Sequence, residues 1–416
     1  MAGQSVVIVG AGQAGSDAAA ALRSQGHTGP ITLIGEESHL PYQRPPLSKA
    51  YLYPTGGVGL VDLELRPASF YDTQGVELLR GEEAVRIDRE TRSLGLRSGR
   101  ELRYDSLVLA TGARPRKLPV PGAERPGVFV LRGADDAEAL RQRLAEPDRT
   151  LNVVVIGAGF IGLELASTAT RSGHRVTVVE AQPRVLQRAL TEEMSDWLTA
   201  EHRSRGVRLL LRREVAELLG DGSGPVRAVR LGDGEELPAD LAVVGIGVLP
   251  NVDLAVRAGL AVGDGILVDE HLRTSDPAIF AIGDCARFPS RQAGRPMRLE
   301  SVQNASDQAR CVAAAICGTP EPYTALPWFW SEQYGHRLQI AGLTAGHDRT
   351  VLLGHPAQAR FSVLCFREGR LIGAESVNRA ADHGIVRRLL TSGAELTPEQ
   401  VAVPGFDLKD LNRQLV

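Results

Sequence analysis

Two short segments carry the most pointed chemistry in this chain. Gly10-Ala11-Gly12-Gln13-Ala14-Gly15 and Gly157-Ala158-Gly159-Phe160-Ile161-Gly162 share a G-x-G-x-x-G spacing and begin 147 residues apart. Glycines so placed allow a tight turn and let the backbone approach a pyrophosphate. A helix starting there offers free N–H groups and a partial positive charge to it. An acid follows each copy, Glu36 and Glu180, 26 and 23 positions after the first glycine. Each can accept hydrogen bonds from an adenosine ribose. Two such sites in one chain imply two dinucleotides, and a flavin exchanging electrons with a nicotinamide is the economical pairing. Glu180 pairs with a 2′-hydroxyl and repels a 2′-phosphate, which favours NADH over NADPH. Arg175 and Arg184 stand nearby and temper that preference.

Other residues have the right type for this chemistry. Pro41-Tyr42-Gln43-Arg44-Pro45-Pro46-Leu47-Ser48-Lys49 is a proline-stiffened loop with two cations. Arg44 suits a pyrophosphate, and Lys49 could reach an isoalloxazine ring. Of 47 basic residues only Lys49, Lys117 and Lys409 are lysines, and a compact ammonium does not replace a guanidinium. Asp284 follows an apolar run at Gly283 and could take a ribityl hydroxyl. The four cysteines, Cys285, Cys311, Cys317 and Cys365, show no C-x-x-C and no zinc or iron–sulfur spacing. Buried thiols in a reduced compartment are expected, and no metal site is expected.

The elements that must position these residues are legible around them. Val6 to Val9 and Val153 to Ile156 are apolar β-branched strands before each glycine turn. Helical runs to Gly26 and Ser172 follow, and then the strands Ile31 to Ile34 and Val176 to Val179. Each copy is therefore a βαβ unit. Ala84 to Ile87 and Ser93 to Leu96 read as strands, as do Leu107 to Leu109, Leu241 to Ile246 and Ile279 to Ile282. Prolines from Pro115 to Pro126 and from Pro320 to Pro327 mark breaks. The last segment alternates apolar and polar residues (Arg337 to Ala341, Phe361 to Phe366) and then turns helical.

The 416 residues amount to nearly three domains of about 150 residues. With 43% apolar and 23% charged residues the chain is an ordinary globular one. A net charge of -3 gives no reason to expect nucleic acid or a membrane as partner. No run approaches the ~20 apolar residues of a membrane helix. The first strand begins almost at the initiator Met, so no leader and a cytoplasmic address are expected.

The sequence resembles the FAD-dependent ferredoxin reductases that serve bacterial cytochrome P450 and ring-hydroxylating dioxygenase systems. The resemblance runs over essentially the whole chain. It rests on Pro45 through Leu52, Leu107 to Gly112, Thr274-Ser275-Asp276-Pro277 through Gly283-Asp284-Cys285-Ala286-Arg287-Phe288, Glu300-Ser301-Val302 and Pro327-Trp328-Phe329-Trp330-Ser331. It implies an α/β fold with two Rossmann-like dinucleotide-binding domains, glutathione-reductase-like, plus a small C-terminal α+β domain. Residues 1–112 and 246–322 would bind FAD, 113–245 would bind NADH, and 323–416 would form the third domain.

The resemblance also implies site residues. FAD would lie along Gly10, Gly12, Ala14 and Gly15, with Glu36 on the ribose and Arg44 on the pyrophosphate. The family varies at Tyr42-Gln43-Arg44, so that last contact is the least fixed by resemblance. Lys49 would sit by the flavin, Ala84 and Arg132 would touch FAD, Asp284 would hold the ribityl chain, and the Val302 backbone would meet the pyrimidine edge. NADH would bind at Gly157, Gly159 and Gly162, with Glu180 on the ribose and Glu164 near the nicotinamide. Lys49, Glu164 and Trp330 would be the catalytic set, although Trp330 also fits a core aromatic.

No cysteine cluster exists in the chain, so the one-electron acceptor is expected to be a separate protein. The resemblance makes it a two-iron, two-sulfur ferredoxin that feeds a P450 or dioxygenase. Rubredoxin or a Rieske-type ferredoxin is an alternative acceptor, and an NADH sensor like the apoptosis-inducing factors is a more distant one. Disulfide and peroxide reductases need cysteine near the flavin, and Pro41 to Lys49 has none. Candidate basic docking faces are Arg203, Arg205, Arg208, Arg212 and Arg213; Arg291, Arg295 and Arg298; and Arg379, Arg387 and Arg388.

Overall fold

A computed structural model describes residues 3–53, 57–146 and 149–414. The chain separates into two units. One comprises residues 1–43, 60–114 and 248–325; the other comprises 44–59, 115–247 and 326–416.

The first unit is built on a five-stranded parallel sheet. Its order is Ile279–Ala281, Ser106–Leu109, Val6–Val9, Ile31–Gly35, Val76–Arg80. A parallel strand at the sheet's centre is covered on both faces and so carries no polar alternation. Val6 to Val9 shows this: all four residues are buried. Val6 and Ile8 pack with the helices Gln13–Ser24 and Val302–Ile316. Val7 and Val9 pack on the other face with Ile87, Leu94 and Leu96. The two helices meet through alanines, among them Ala14, Ala18, Ala21, Ala305, Ala309 and Ala313. An antiparallel meander of Ala84–Asp88, Ser93–Leu96 and Glu101–Arg103 sits in the chain between the Val76–Arg80 and Ser106–Leu109 strands.

The second unit repeats this plan. Its parallel sheet runs Arg208–Leu211, Arg175–Glu180, Asn152–Ile156, Leu241–Val244, Val128–Val130. Its meander is Val215–Leu219, Ala228–Leu231 and Glu236–Pro238, again between the third and fourth strands of the βαβ series. The duplication read from the two glycine motifs thus extends to whole sheets. They differ in where the outermost strand comes from: Ile279–Ala281 follows its sheet's other strands in the chain, and Val128–Val130 precedes those of its own.

The second unit also contains a five-stranded antiparallel sheet in the order Trp328–Gln333, His336–Gly342, Arg370–Val377, Arg360–Arg367, Arg349–His355. Helix Ala380–Ser392 packs on it through Ile385, Val386 and Leu389. Despite the apolar–polar alternation of the sequence, residues 361–366 are all buried. The strand has cover on both sides. Phe361 meets the Trp197 ring at 5.3 Å, and the Ser362 hydroxyl donates to Asp382 of the helix at 2.9 Å. Among the described residues no helix is long and apolar enough to cross a membrane.

One buried carboxyl ties this sheet to helix Glu192–Ser204. Glu375 is 0% exposed and accepts from the Thr191 backbone N–H (3.0 and 3.2 Å) and hydroxyl (2.8 Å). Thr191 in turn caps the helix by accepting from Met194 N–H. Burial outweighs these hydrogen bonds and pushes the Glu375 carboxyl up to about 7. An acid raised in the folded state favours folding fully below its ordinary value of 4.5 and loses that contribution as pH rises through about 7. The contribution at stake is on the order of 3 kcal/mol. Urea unfolding between pH 5 and 8 should therefore show wild type losing stability relative to Glu375→Gln as pH rises; parallel pH curves would contradict this.

Candidate functional site

The two glycine turns have the same internal geometry. Gly10 (φ +109°) and Gly157 (φ +105°) lie in the left-handed region that excludes most side chains. A Cβ on Gly10 would stand 2.1 Å from the Ala110 carbonyl oxygen, and one on Gly157 would stand 2.4 Å from that of Gly245. At Gly15 and Gly162 it would meet the carbonyls of Gly10 and Gly157 at 1.9 and 2.1 Å. The Gly10 and Gly157 N–H groups donate to Ile34 and Val179, both at 2.8 Å. The middle glycines are different. A Cβ at Gly12 would meet nothing within 4 Å, and one at Gly159 only the Gly245 carbonyl at 3.9 Å. Each caps a helix, Gln13–Ser24 or Phe160–Arg171, without a side chain of its own. The outer glycines close the turn and the middle one leaves an open cradle at a helix N-terminus. That shape and charge fit a dinucleotide pyrophosphate.

The acids are placed unequally. Glu36, just beyond strand Ile31–Gly35, is exposed. Glu180 ends its strand and accepts from Ala158 N–H at 2.7 Å and Gln182 N–H at 2.8 Å. It therefore fastens the glycine turn as well as standing where a ribose hydroxyl would arrive, since each carboxylate oxygen has a second lone pair. Spacing alone did not reveal this second duty.

In the first unit Asp284 lies in the short turn Gly283–Cys285 beside the first glycine motif. A Cβ on Gly283 would approach that of Ala14 to 3.0 Å. Gln308, on the helix that begins at Val302, accepts from Gly283 N–H at 2.7 Å. The expected FAD residues Ala14, Asp284 and Val302 thus belong to three elements locked to one another, and Ala84 opens the meander.

The second unit gathers the expected catalytic residues. Lys49 Nζ lies 2.6 Å from Glu164 Oε2, with side chains 19% and 5% exposed. Two hydroxyls also donate to this carboxylate, Ser48 at 2.5 Å and Ser331 at 2.6 Å. The ammonium donates further to the Pro45 carbonyl at 3.0 Å. Glu164 sits on the buried face of helix Phe160–Arg171. Ser48 and Ser331 lie 116 and 167 residues from it, and nothing in the sequence marked either as its partner. Arg44 donates to the Arg132 carbonyl at 2.8 Å, and Arg132 N–H donates to Asp136. Trp330 is half-buried, 5.6 Å from the Trp328 ring. Its neighbour Phe329 lies 4.5 Å from Phe160, the residue after Gly159.

All four cysteines are free. Burial raises the Cys285 and Cys365 thiols, and Cys311 is pushed up to about 11. All four are less acidic than an ordinary thiol, the opposite of a redox cysteine. Of the first arginine group, Arg205, Arg208 and Arg213 are paired with Glu201, Glu235 and Asp233, which cancels much of its charge.

The sequence profile described as pyridine nucleotide-disulphide oxidoreductase matches residues 4–309. The chain belongs to the pyridine nucleotide-disulphide oxidoreductase family. A second profile, reductase C-terminal, matches residues 328–412. Rhodocoxin reductase of Rhodococcus erythropolis is 49% identical over 405 residues, 97% of this chain and 93% of that protein. The crystal structure of a ferredoxin reductase for the CYP199A2 system of Rhodopseudomonas palustris matches with a TM-score of 0.94 at 51% identity, over 98% of this chain and 99% of that one. Putidaredoxin reductase, in its covalent complex with putidaredoxin, matches with a TM-score of 0.95 at 40% identity, over 100% and 99%. This member of the pyridine nucleotide-disulphide oxidoreductase family is an oxidoreductase, and its fold class is the one expected above.

The cradle geometry separates two substitutions. Stripped of flavin, Gly12→Ala should melt like wild type, yet it should retain less flavin on purification. Gly15→Ala should lose upwards of about 2 kcal/mol of stability. Thermal melts and visible absorbance check both; equal destabilisation would contradict the division of labour.

Proposed function

We propose that this chain is an NADH:ferredoxin oxidoreductase carrying FAD, which passes electrons from NADH to a two-iron, two-sulfur ferredoxin serving a P450 or ring-hydroxylating oxygenase in the cytoplasm. The observation that carries this reading is the pair of open glycine cradles in one chain, together with a buried Lys49–Glu164 ion pair. Residues 1–112 and 246–322 form the FAD domain, 113–245 the NADH domain and 323–416 the third domain.

Bound FAD supplies the exchange of a hydride equivalent for single electrons. The first unit would hold it through Gly10, Gly12, Ala14 and Gly15, with Glu36 on the ribose, Asp284 on the ribityl chain, and the Ala84 and Val302 backbones. Arg44, Arg132 and Lys49 are the further FAD contacts that the resemblance implies. Gly157, Gly159 and Gly162 hold the NADH pyrophosphate, and Glu180 receives its ribose. What these residues contribute to the rate is positioning and exclusion of water. The Lys49 ammonium would supply positive charge to a flavin being reduced, and Glu164 would balance it beforehand. The resemblance would put Trp330 near the flavin. The acceptor is a separate protein because the four cysteines offer no cluster site. One of the three candidate arginine faces would steer an acidic ferredoxin.

Stopped-flow mixing tests the assignment. Lys49→Ala should retain its flavin and slow its reduction by NADH about tenfold or more, near 1.4 kcal/mol of barrier. Unchanged reduction would remove Lys49 from the catalytic set. Glu180→Ala should narrow the preference for NADH over NADPH, and an unaltered ratio would refute the ribose assignment.

A further inference from the structure

Glu164 is the end of a longer structure within the second unit. Ser331, whose hydroxyl donates to Glu164 Oε1, itself accepts from Gln333 Nε2 at 3.1 Å. Gln333 Oε1 lies 2.8 Å from His202 Nε2. His202 Nδ1 lies 3.2 Å from the Tyr334 hydroxyl. Ser331 and His202 are fully buried, Gln333 is 5% exposed and Tyr334 is partly exposed. The chain therefore runs from the edge of the unit to the ion pair at Lys49.

Its direction is fixed by chemistry. A carboxylate can only accept, so the Ser331 hydroxyl must donate the hydrogen bond. The Ser331 oxygen then accepts from the Gln333 amide nitrogen, which turns the amide oxygen toward His202. That oxygen needs a donor, so the His202 proton is on Nε2, and Nδ1 accepts from Tyr334. Every link donates toward Glu164. Burial lowers the His202 imidazole below its ordinary value, consistent with a neutral ring. Each link polarises the next, so the chain holds the Ser331 hydroxyl on Glu164 Oε1 more firmly than separate hydrogen bonds would. The charged and titratable groups around it are Lys49 at one end, and Glu201, His336 and Arg205 near the other. His336 lies 3.2 Å from Glu201, and Arg205 lies over the Tyr334 ring at 5.3 Å.

We propose that Gln333, His202 and Tyr334 are positioning residues that hold the Glu164 carboxylate in place through this one-way chain and so keep Lys49 seated for flavin reduction. The proposal rests on the functional reading above for the role of Glu164, while the chain itself does not require a flavin.

Two measurements test it. In unmodified protein with 15N-labelled histidine, the ring resonances that disappear in His202→Gln should report a neutral ring protonated on Nε2. A proton on Nδ1, or on both nitrogens, would overturn the chain. This arm stands even in protein that carries no flavin, a result that would sink the functional reading instead. In the FAD-loaded protein, Gln333→Leu should raise the flavin midpoint potential, because a carboxylate no longer held in place offsets less of the Lys49 charge. The same change in a Glu164→Gln background should have no effect. His202→Gln, whose amide can still donate to Gln333, should keep the wild-type potential where His202→Leu does not. Equal shifts with and without Glu164, or no shift from Gln333→Leu, would show that these residues serve only packing.

Discussion

At the outer glycines of both glycine turns a backbone carbonyl occupies the space of a side chain. The Ala110 and Gly245 oxygens stand where a Cβ of Gly10 and Gly157 would be, and the Gly10 and Gly157 oxygens stand where those of Gly15 and Gly162 would be. No L residue with a side chain can close these contacts, so glycine is a steric requirement there. The turns let two parallel strands end beside the start of a helix, and they place that helix N-terminus beyond the strand ends. From this follow both cradles, the acids at the ends of the neighbouring strands, and the doubling of one α/β plan.

The second organising feature is the Glu164 carboxylate. A buried charge is tolerated only when it is paired and its lone pairs are satisfied. Lys49, Ser48 and Ser331 do this from two further elements, the loop after Arg44 and the strand Trp328–Gln333. The helix of the second glycine motif, that proline-stiffened loop and the C-terminal sheet are thereby held on one side chain. An ion pair in this setting has a defined geometry, because the hydroxyls leave the carboxylate little freedom to turn.

The sequence made the repeated features legible and hid the convergent ones. Strand, glycine turn, helix and acid are neighbours in the chain, so their spacing carries their geometry, and the parallel strands Val6–Val9 and Asn152–Ile156 announce themselves by apolar runs. Lys49 and Glu164 could be named through resemblance, but the hydroxyls beside them could not. Ser48 and Ser331 have no periodicity or spacing that points to a carboxylate more than a hundred residues away. Residues 44–59 carry no mark that they cluster with the second unit. Glu180 looked like a ribose ligand from its distance to Gly157, whereas its grip on the Ala158 N–H depends on how the turn closes. The alternation over Phe361 to Phe366 marks a strand, while its burial on both faces does not show in the pattern. Ser362 is polar yet buried, since Asp382 and Ser376 satisfy its hydroxyl.

The account stands or falls on electrons leaving this protein one at a time after arriving from NADH. The direct measurement is anaerobic spectroscopy of the purified protein with NADH and an oxidised two-iron, two-sulfur ferredoxin. The protein should be yellow, should bleach on NADH addition, and should then reduce the ferredoxin catalytically, with NADPH much the poorer donor. A preparation that is colourless and takes up no FAD, or one whose NADH-reduced flavin leaves every such ferredoxin oxidised, would contradict it.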